Sequence, residues 1–164
     1  MRYGKAETLA LLDAAGVPYD LAEHEAVFTV EEAHAADVPF TEYGDKNLFL
    51  RDNKKRSYYL VCMHDQKRRS IKEIQLAVGS ARRLSFASER DLAAKLGVIP
   101  GAVTPLAALN DTEHVVQVFI DQSFIDLGRI AVHPCDNTAT VLLRTDDLMA
   151  LLQDRGSRVQ VVDF

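Results

Sequence analysis

No run of about 18 consecutive apolar residues occurs in the sequence, so no segment of it reads as a membrane-spanning helix. The stretch from Met1 to Ala10 carries charge early and has no apolar core followed by a small-residue cleavage site. It reads as the start of a helix and not as a secretion signal. There are only two cysteines, Cys62 and Cys135, and no CxxC pair, which excludes a disulfide framework and suits reduced thiols in a soluble cytosolic protein. His24, His34, His64 and His114 show no metal-ligand spacing among themselves or with the cysteines, so neither a zinc site nor another cofactor is expected. A Walker loop, a dinucleotide fingerprint and a GxSxG elbow are all missing, which counts against nucleotide hydrolysis, hydride transfer and α/β-hydrolase chemistry. Internal repeats, low-complexity tracts and linkers are missing too.

What remains is an ordinary globular composition, 48% apolar and 26% charged over 164 residues, which suits a single domain spanning 1–164. The net charge of −5 argues against indiscriminate coating of nucleic acid. Its distribution is uneven. From Lys46 to Lys72 there are nine basic residues (Lys46, Arg51, Lys54, Lys55, Arg56, Lys67, Arg68, Arg69, Lys72) against two acidic ones, Asp52 and Asp65. The rest of the chain holds ten basic and 22 acidic residues. A basic stretch on an acidic body suits a protein that grips one local piece of a polyanion, and equally a solvated hairpin rim.

Periodicity and capping signals set out the elements. Leucines among alanines from Lys5 to Ala15, stopped by Gly16, predict a helix. A short strand is expected at Tyr19 to His24, and the capping-box pair Thr29 and Glu32 predicts a helix to about Ala36. Asn47 to Arg51 and Arg56 to Met63, separated by Asp52-Asn53-Lys54-Lys55, read as a hairpin. The second of these strands is apolar on both faces, as in the middle of a covered sheet. Ser70 with Glu73 opens a helix to about Val78, Arg83 to Ala87 reads as a strand, and Ser88 caps a helix that stops at Gly97. Strands follow at Val115 to Ile120, Gly128 to His133 and Ala139 to Leu143. Thr145 is then expected to cap a last helix ending by Gly156, before a strand at Val159 to Val162. This order predicts an α+β domain with one central, mixed, largely antiparallel, barrel-like sheet flanked by helices.

Three features could carry chemistry. Lys46 heads a strand with the parity of Leu48 and Leu50, so it either snorkels at the strand end or sits in a cleft. The loop Gly97 to Pro105 holds glycines that would let the backbone approach a ligand and free N–H groups for an oxyanion or phosphate. His133-Pro134, followed by Asn137 and Thr138, ends a predicted strand. Cys135 lies two residues beyond His133, a spacing that by itself assigns it no nucleophilic role.

Taken together and in this order, the features resemble the YbaK/ProX family of editing domains related to the insertion domain of bacterial prolyl-tRNA synthetases. The likeness rests on Val27-Phe28-Thr29-Val30-Glu31-Glu32, Lys46-Asn47-Leu48-Phe49-Leu50-Arg51-Asp52, Gly101-Ala102-Val103-Thr104-Pro105, and His133-Pro134 with Asn137-Thr138. Lys46-Asn47-Leu48-Phe49 is similar to the alanine-editing (PrdX, ProXp-ala) branch. The resemblance implies a trans-editing deacylase of mischarged Ala-tRNA(Pro), with tRNA as a partner and prolyl-tRNA synthetase raised as a second. It implies Lys46, Asn47, Gly101 and His133 as catalytic, and Val27, Phe28, Thr29, Ala102 and Val132 around the aminoacyl group. Arg51, Lys54, Lys55, Arg56, Lys67, Arg68 and Arg69 would follow the tRNA phosphates. Two alternatives stand beside it: a deacylase for Cys-tRNA(Pro) or another small aminoacyl-tRNA, and a non-catalytic nucleic-acid-binding module.

Overall fold

The computed structural model describes residues 2–36 and 38–164, so Met1 lies outside the described residues. The chain runs α1 (Lys5–Ala14), β1 (Tyr19–Glu23), α2 (Val30–Ala35), β2 (Asp45–Asp52), β3 (Tyr58–His64), α3 (Ile71–Val78), β4 (Leu84–Phe86) and α4 (Glu89–Leu96). It continues as β5 (Val116–Asp121), α5 (Gln122–Leu127), β6 (Arg129–Val132), β7 (Ala139–Arg144), α6 (Thr145–Asp154) and β8 (Arg158–Val162). The strands form two sheets, β1-β7-β6 and β4-β2-β3-β5-β8.

β3 shows most plainly how sequence becomes architecture. It lies between β2, its antiparallel partner, and β5, its parallel partner, so both of its edges are paired. Strand alternation divides its side chains between two cores. Tyr58, Leu60 and Cys62 join the larger cluster, with Phe49, Val118 and Ile120 from the same sheet and Ile130, Val132, Val141 and Leu143 from the smaller sheet. Tyr59, Val61 and Met63 join a second cluster on the far face, closed by Ile74 of α3 and by Phe164. The main core therefore lies between the two sheets. Full burial of a side chain such as Leu60 stabilises the fold by about 1.5–3 kcal/mol.

The capping readings for α2, α3 and α4 hold in atomic detail. Thr29, Ser70 and Ser88 accept from the backbone N–H groups of Glu32, Glu73 and Asp91 at 3.0, 3.1 and 3.0 Å. Three expectations need correction. The single barrel-like sheet is two sheets, neither of them closed, with parallel pairing at β3–β5 and β5–β8. Thr145 does not cap α6: it is the first helical residue, and its buried hydroxyl donates to the Phe124 carbonyl at 2.7 Å. The stretch between β5 and β6 is also not a plain connection. It forms α5, begun by the Asp121 side chain accepting from Ser123 N–H and ended by Gly128 in the left-handed region.

The sheets meet where β2 begins. Gly44, just ahead of β2, bridges Ala131 of β6, and Val27–Val30 and Val38–Thr41 lie at this junction. No helix among the described residues is long and apolar enough to cross a membrane.

Candidate active site

A cavity of about 310 Å³ opens at that junction. Five separated parts of the chain line it: Val27–Val30 with Ala33, Val38–Thr41, Gly44–Asn47 with Asp65, Gly101 with Val103, and Ala131–His133 with Thr140. Of the residues expected around the site, Lys46, Asn47, Gly101, His133, Val27, Phe28, Thr29 and Val132 all contribute to its wall. Ala102 does not. It is 2% exposed within the main core, and its N–H is taken up by the Ile99 carbonyl at 3.1 Å, so neither its side chain nor its amide faces a ligand.

The wall segments are held in place by specific contacts. The Asn137 side chain donates to the Val27 carbonyl at 3.0 Å, and the Val27 N–H donates back to the Asn137 carbonyl at 3.4 Å. The loop after β6 thus fixes the segment before α2. Glu32 reaches back to accept from the Phe28 N–H at 2.8 Å, which holds Phe28 near the helix start. Phe28 is 59% exposed and lies across Gly101, whose φ is +89°. A Cβ at that position would come 2.7 Å from Phe28 Cδ1, so only glycine fits both the backbone angle and the contact. The Gly101 N–H donates to no described residue.

His133 has a defined tautomer. Its Nδ1 lies 2.8 Å from the Ala139 carbonyl, which can only accept, so Nδ1 carries the proton and Nε2 presents a lone pair. Burial lowers its pKa below the ordinary imidazole value, which keeps the ring neutral at pH 7. The His24 ring lies 6.1 Å from it, centroid to centroid, with His24 Nε2 2.8 Å from the Thr140 hydroxyl. Cys135, in a left-handed conformation (φ +60°), has its thiol pushed up to about 11 by burial, far from the thiolate that a nucleophile needs.

Lys46 sits at the start of β2, where its ammonium donates to the Lys67 carbonyl. Burial lowers its pKa, and the nearby charges of Arg68 and Arg69 lower it further. The charges of Asp65 and Glu31 oppose this, so Lys46 stands among charges of both signs at the cavity. The basic stretch is split in space. Lys54, Lys55 and Arg56 lie on the exposed turn at the far end of β2, about 23 Å from Lys46 at strand rise. Three of the expected phosphate contacts already have acidic partners, among them Arg69, which lies 3.9 Å from Glu73 and donates to the Phe164 carbonyl at 3.1 Å. Arg51 pairs with Asp91 at 2.6 Å, and Lys67 pairs with the buried Asp121 at 2.8 Å while also donating to the Phe164 carbonyl at 2.8 Å.

The sequence reading missed two acids in the wall. Asp65 lies in the turn after β3, within 3.4 Å of His34 and 3.6 Å of His64. Asp45 is the first residue of β2, and its Oδ2 accepts from the Cys62 thiol at 3.1 Å. The only signal for Asp45 in the sequence is that it directly precedes Lys46.

Comparison with known proteins shows the family of the chain. The family model described as "Aminoacyl-tRNA editing domain" matches residues 24–151. The prolyl-tRNA editing protein ProX of Acetoanaerobium sticklandii is 38% identical over 98% of this chain and 97% of its own length. The prolyl-tRNA synthetase associated domain-containing protein 1 of Bos taurus is 33% identical over 93% of this chain and 91% of its own. A solved structure for which a trans-editing role beside prolyl-tRNA synthetase has been suggested superposes with a TM-score of 0.70, covering 98% of this chain and 97% of that one. At 18% identity it shows the shared fold alone. The chain belongs to the aminoacyl-tRNA editing domain family and is accordingly a tRNA deacylase.

Proposed function

We propose that this chain acts in trans on mischarged tRNA(Pro) and hydrolyses the ester of the alanyl form. The observation that carries this reading is one small cavity with apolar walls (Val27, Val38, Val103, Ala131, Val132) that also gathers Lys46, Asn47, Gly101 and His133 from distant parts of the sequence. A synthetase pocket shaped for proline cannot keep alanine out, because missing methylenes are worth only about 1–3 kcal/mol of discrimination. A second site has to accept the smaller side chain and reject proline by bulk.

The steps follow from the groups present. Lys46, with Arg68 and Arg69 nearby, holds the phosphate or hydroxyl of the terminal adenosine. The free N–H of Gly101 faces the ester carbonyl and stabilises the oxyanion as water adds, an effect worth about 3 kcal/mol per donor. The Nε2 lone pair of His133 accepts a hydrogen bond from the attacking water and orients it. The tetrahedral intermediate then expels the ribose oxygen, which takes up the proton given up by the water, releasing alanine and intact tRNA. The chain's own groups supply these steps without a metal ion. Arg68 and Arg69 contact phosphates close to the ester, and Lys54, Lys55 and Arg56 contact phosphates farther along the acceptor stem.

The test is release of alanine from Ala-tRNA(Pro) by the wild type and by Lys46→Ala, beside Cys-, Ser- and Pro-tRNA(Pro). Rapid release of alanine, slow release of proline and a strong loss in Lys46→Ala are expected. Equal rates in both proteins would remove Lys46 from the mechanism, and a preference for the cysteinyl ester would reassign the substrate.

A further inference from the structure

Asp45 and Asn47 are two residues apart on β2, so they share a strand face, and both line the cavity. One of their acceptor atoms has no donor among the described residues. Asp45 Oδ2 accepts from the Cys62 thiol, and the Asn47 side chain also hydrogen-bonds to this carboxyl. The other end of that amide, Asn47 Oδ1, is buried and accepts nothing among the described residues. A buried acceptor without a donor costs about 1–3 kcal/mol, so such an atom calls for an explanation.

No neighbouring cation supplies the missing donor. The ammonium of Lys46 donates to the Lys67 carbonyl. The cavity's other acid, Asp65, already has His34, His64 and the Gln66 amide around it. Val27, Val38, Ala131 and Val132 of the wall are apolar and offer no side-chain donor. This corner lacks a compact cation with several N–H groups. An aminoacyl ester carries such a group on the carbon next to its carbonyl.

We propose that Asp45, with Asn47 Oδ1, binds the α-ammonium of the substrate and so makes the site specific for esters of amino acids with a free amine. This rests on the deacylase reading above and deepens it. Burial pushes the Asp45 carboxyl up to about 7, the hydrogen bonds from Cys62 and Asn47 oppose the rise, and the charge of Asp65 adds to it. The groups facing it are Cys62 and His64 of β3, Asp65 in the following turn, and Asn47 on its own strand. A bound ammonium favours the ionised carboxylate, so recognition of the amine weakens as the pH falls below about 7.

The experiment compares Ala-tRNA(Pro) with its N-acetyl derivative in single-turnover hydrolysis by the wild type and by Asp45→Asn. The wild type is expected to cleave the free-amine ester about ten- to a hundredfold faster, the worth of one hydrogen bond to a charged group. Asp45→Asn should lose that factor on the free amine while its rate on the N-acetyl ester stays within about twofold, which collapses the ratio towards one. Equal wild-type rates on the two esters, which needs no variant to observe, would overturn the proposal. So would a ratio unchanged in Asp45→Asn. Calorimetric binding of 3′-alanylamido-3′-deoxyadenosine and its N-acetyl form separates the two readings. Amine-dependent binding without hydrolysis of any tRNA ester sinks the deacylase assignment and keeps the Asp45 site, and hydrolysis without amine preference does the reverse.

Discussion

The ammonium of Lys67 lies 2.8 Å from the carboxylate of Asp121, a side chain with no solvent exposure. Asp121 also accepts from the His64 N–H at 3.0 Å, so one acid fixes both ends of the turn between β3 and α3. That turn carries Asp65 into the cavity wall and offers the Lys67 carbonyl to Lys46. Lys67 therefore positions its neighbours and is not free to meet a phosphate.

Removing one partner of this pair leaves a buried charge alone. Asp121→Ala is expected to lower stability by about 3–5 kcal/mol in urea denaturation, since the other partner stays behind without compensation. Lys67→Met should leave the salt dependence of tRNA binding unchanged. Arg68→Ala, by contrast, should reduce the slope of log K against log salt by about 1. Equal slopes for Lys67→Met and Arg68→Ala, both shallower than the wild type, would return Lys67 to the phosphate contacts.

The pH profile of kcat/KM should show two acid-side ionisations. Asp45 must be ionised, which places the upper limb near 7. His133 must be neutral, and because burial lowers its pKa the second limb lies below the ordinary imidazole range. Asp45→Asn is expected to erase the upper limb and keep the lower one. A profile unchanged in that variant would remove Asp45 from substrate binding.

The same carboxyl links activity to stability. In the unfolded chain Asp45 ionises at its ordinary value near 4, while in the fold it holds its proton up to about 7. Between these limits the folded state binds more protons, so its stability declines as the pH rises through that window. Asp45→Asn should then be more stable than the wild type at pH 8, by a few kcal/mol at most since the side chain is partly exposed, with the gap closing towards pH 4. Thermal melts across that range measure it, and a constant gap would contradict the linkage.

Gly101→Ala introduces a side chain at φ +89° against Phe28. The expected loss is about 1–2 kcal/mol from the backbone, together with lower deacylation because Phe28 must move. In Gly101→Ala/Phe28→Ala the clash is relieved but the backbone penalty remains. Full recovery of stability in that pair would show that the contact mattered and the backbone angle did not.

Asn137→Ala cuts the tie to the Val27 carbonyl, at a cost of about 1–3 kcal/mol. Since Val27 is part of the wall, loss of selectivity against Pro-tRNA(Pro) should exceed loss of turnover on Ala-tRNA(Pro). Selectivity unchanged beside lower stability would confine Asn137 to a structural role.

Much of the fold was legible along the chain because its causes are local. Capping side chains at Thr29, Ser70 and Ser88 act within one turn, and the doubly apolar pattern of β3 already required cover on both faces. α5 was missed although Asp121 and Gly128 bracket it, because at 6 residues it is too short for a helical period to show in the sequence. Thr145 was misread because a threonine before an apolar run gives the same signal whether its hydroxyl bonds to its own helix or, as here, to Phe124.

By itself the sequence determined the order of elements except α5 and the apolar character of both faces of β3, and its resemblance to a known family singled out Lys46, Asn47, Gly101 and His133 as the residues to watch. These follow from interactions spanning a few residues and from motifs carried on one strand or loop. Only the tertiary structure decided that there are two sheets, that the basic segment is divided between the two ends of β2, and that Asp121 claims Lys67. It also brought Asp45 to the cavity with an unmatched acceptor beside it. The physical reason is that charge pairing, burial and unsatisfied hydrogen bonding depend on neighbours tens of residues away in the chain, and only folding brings those neighbours together.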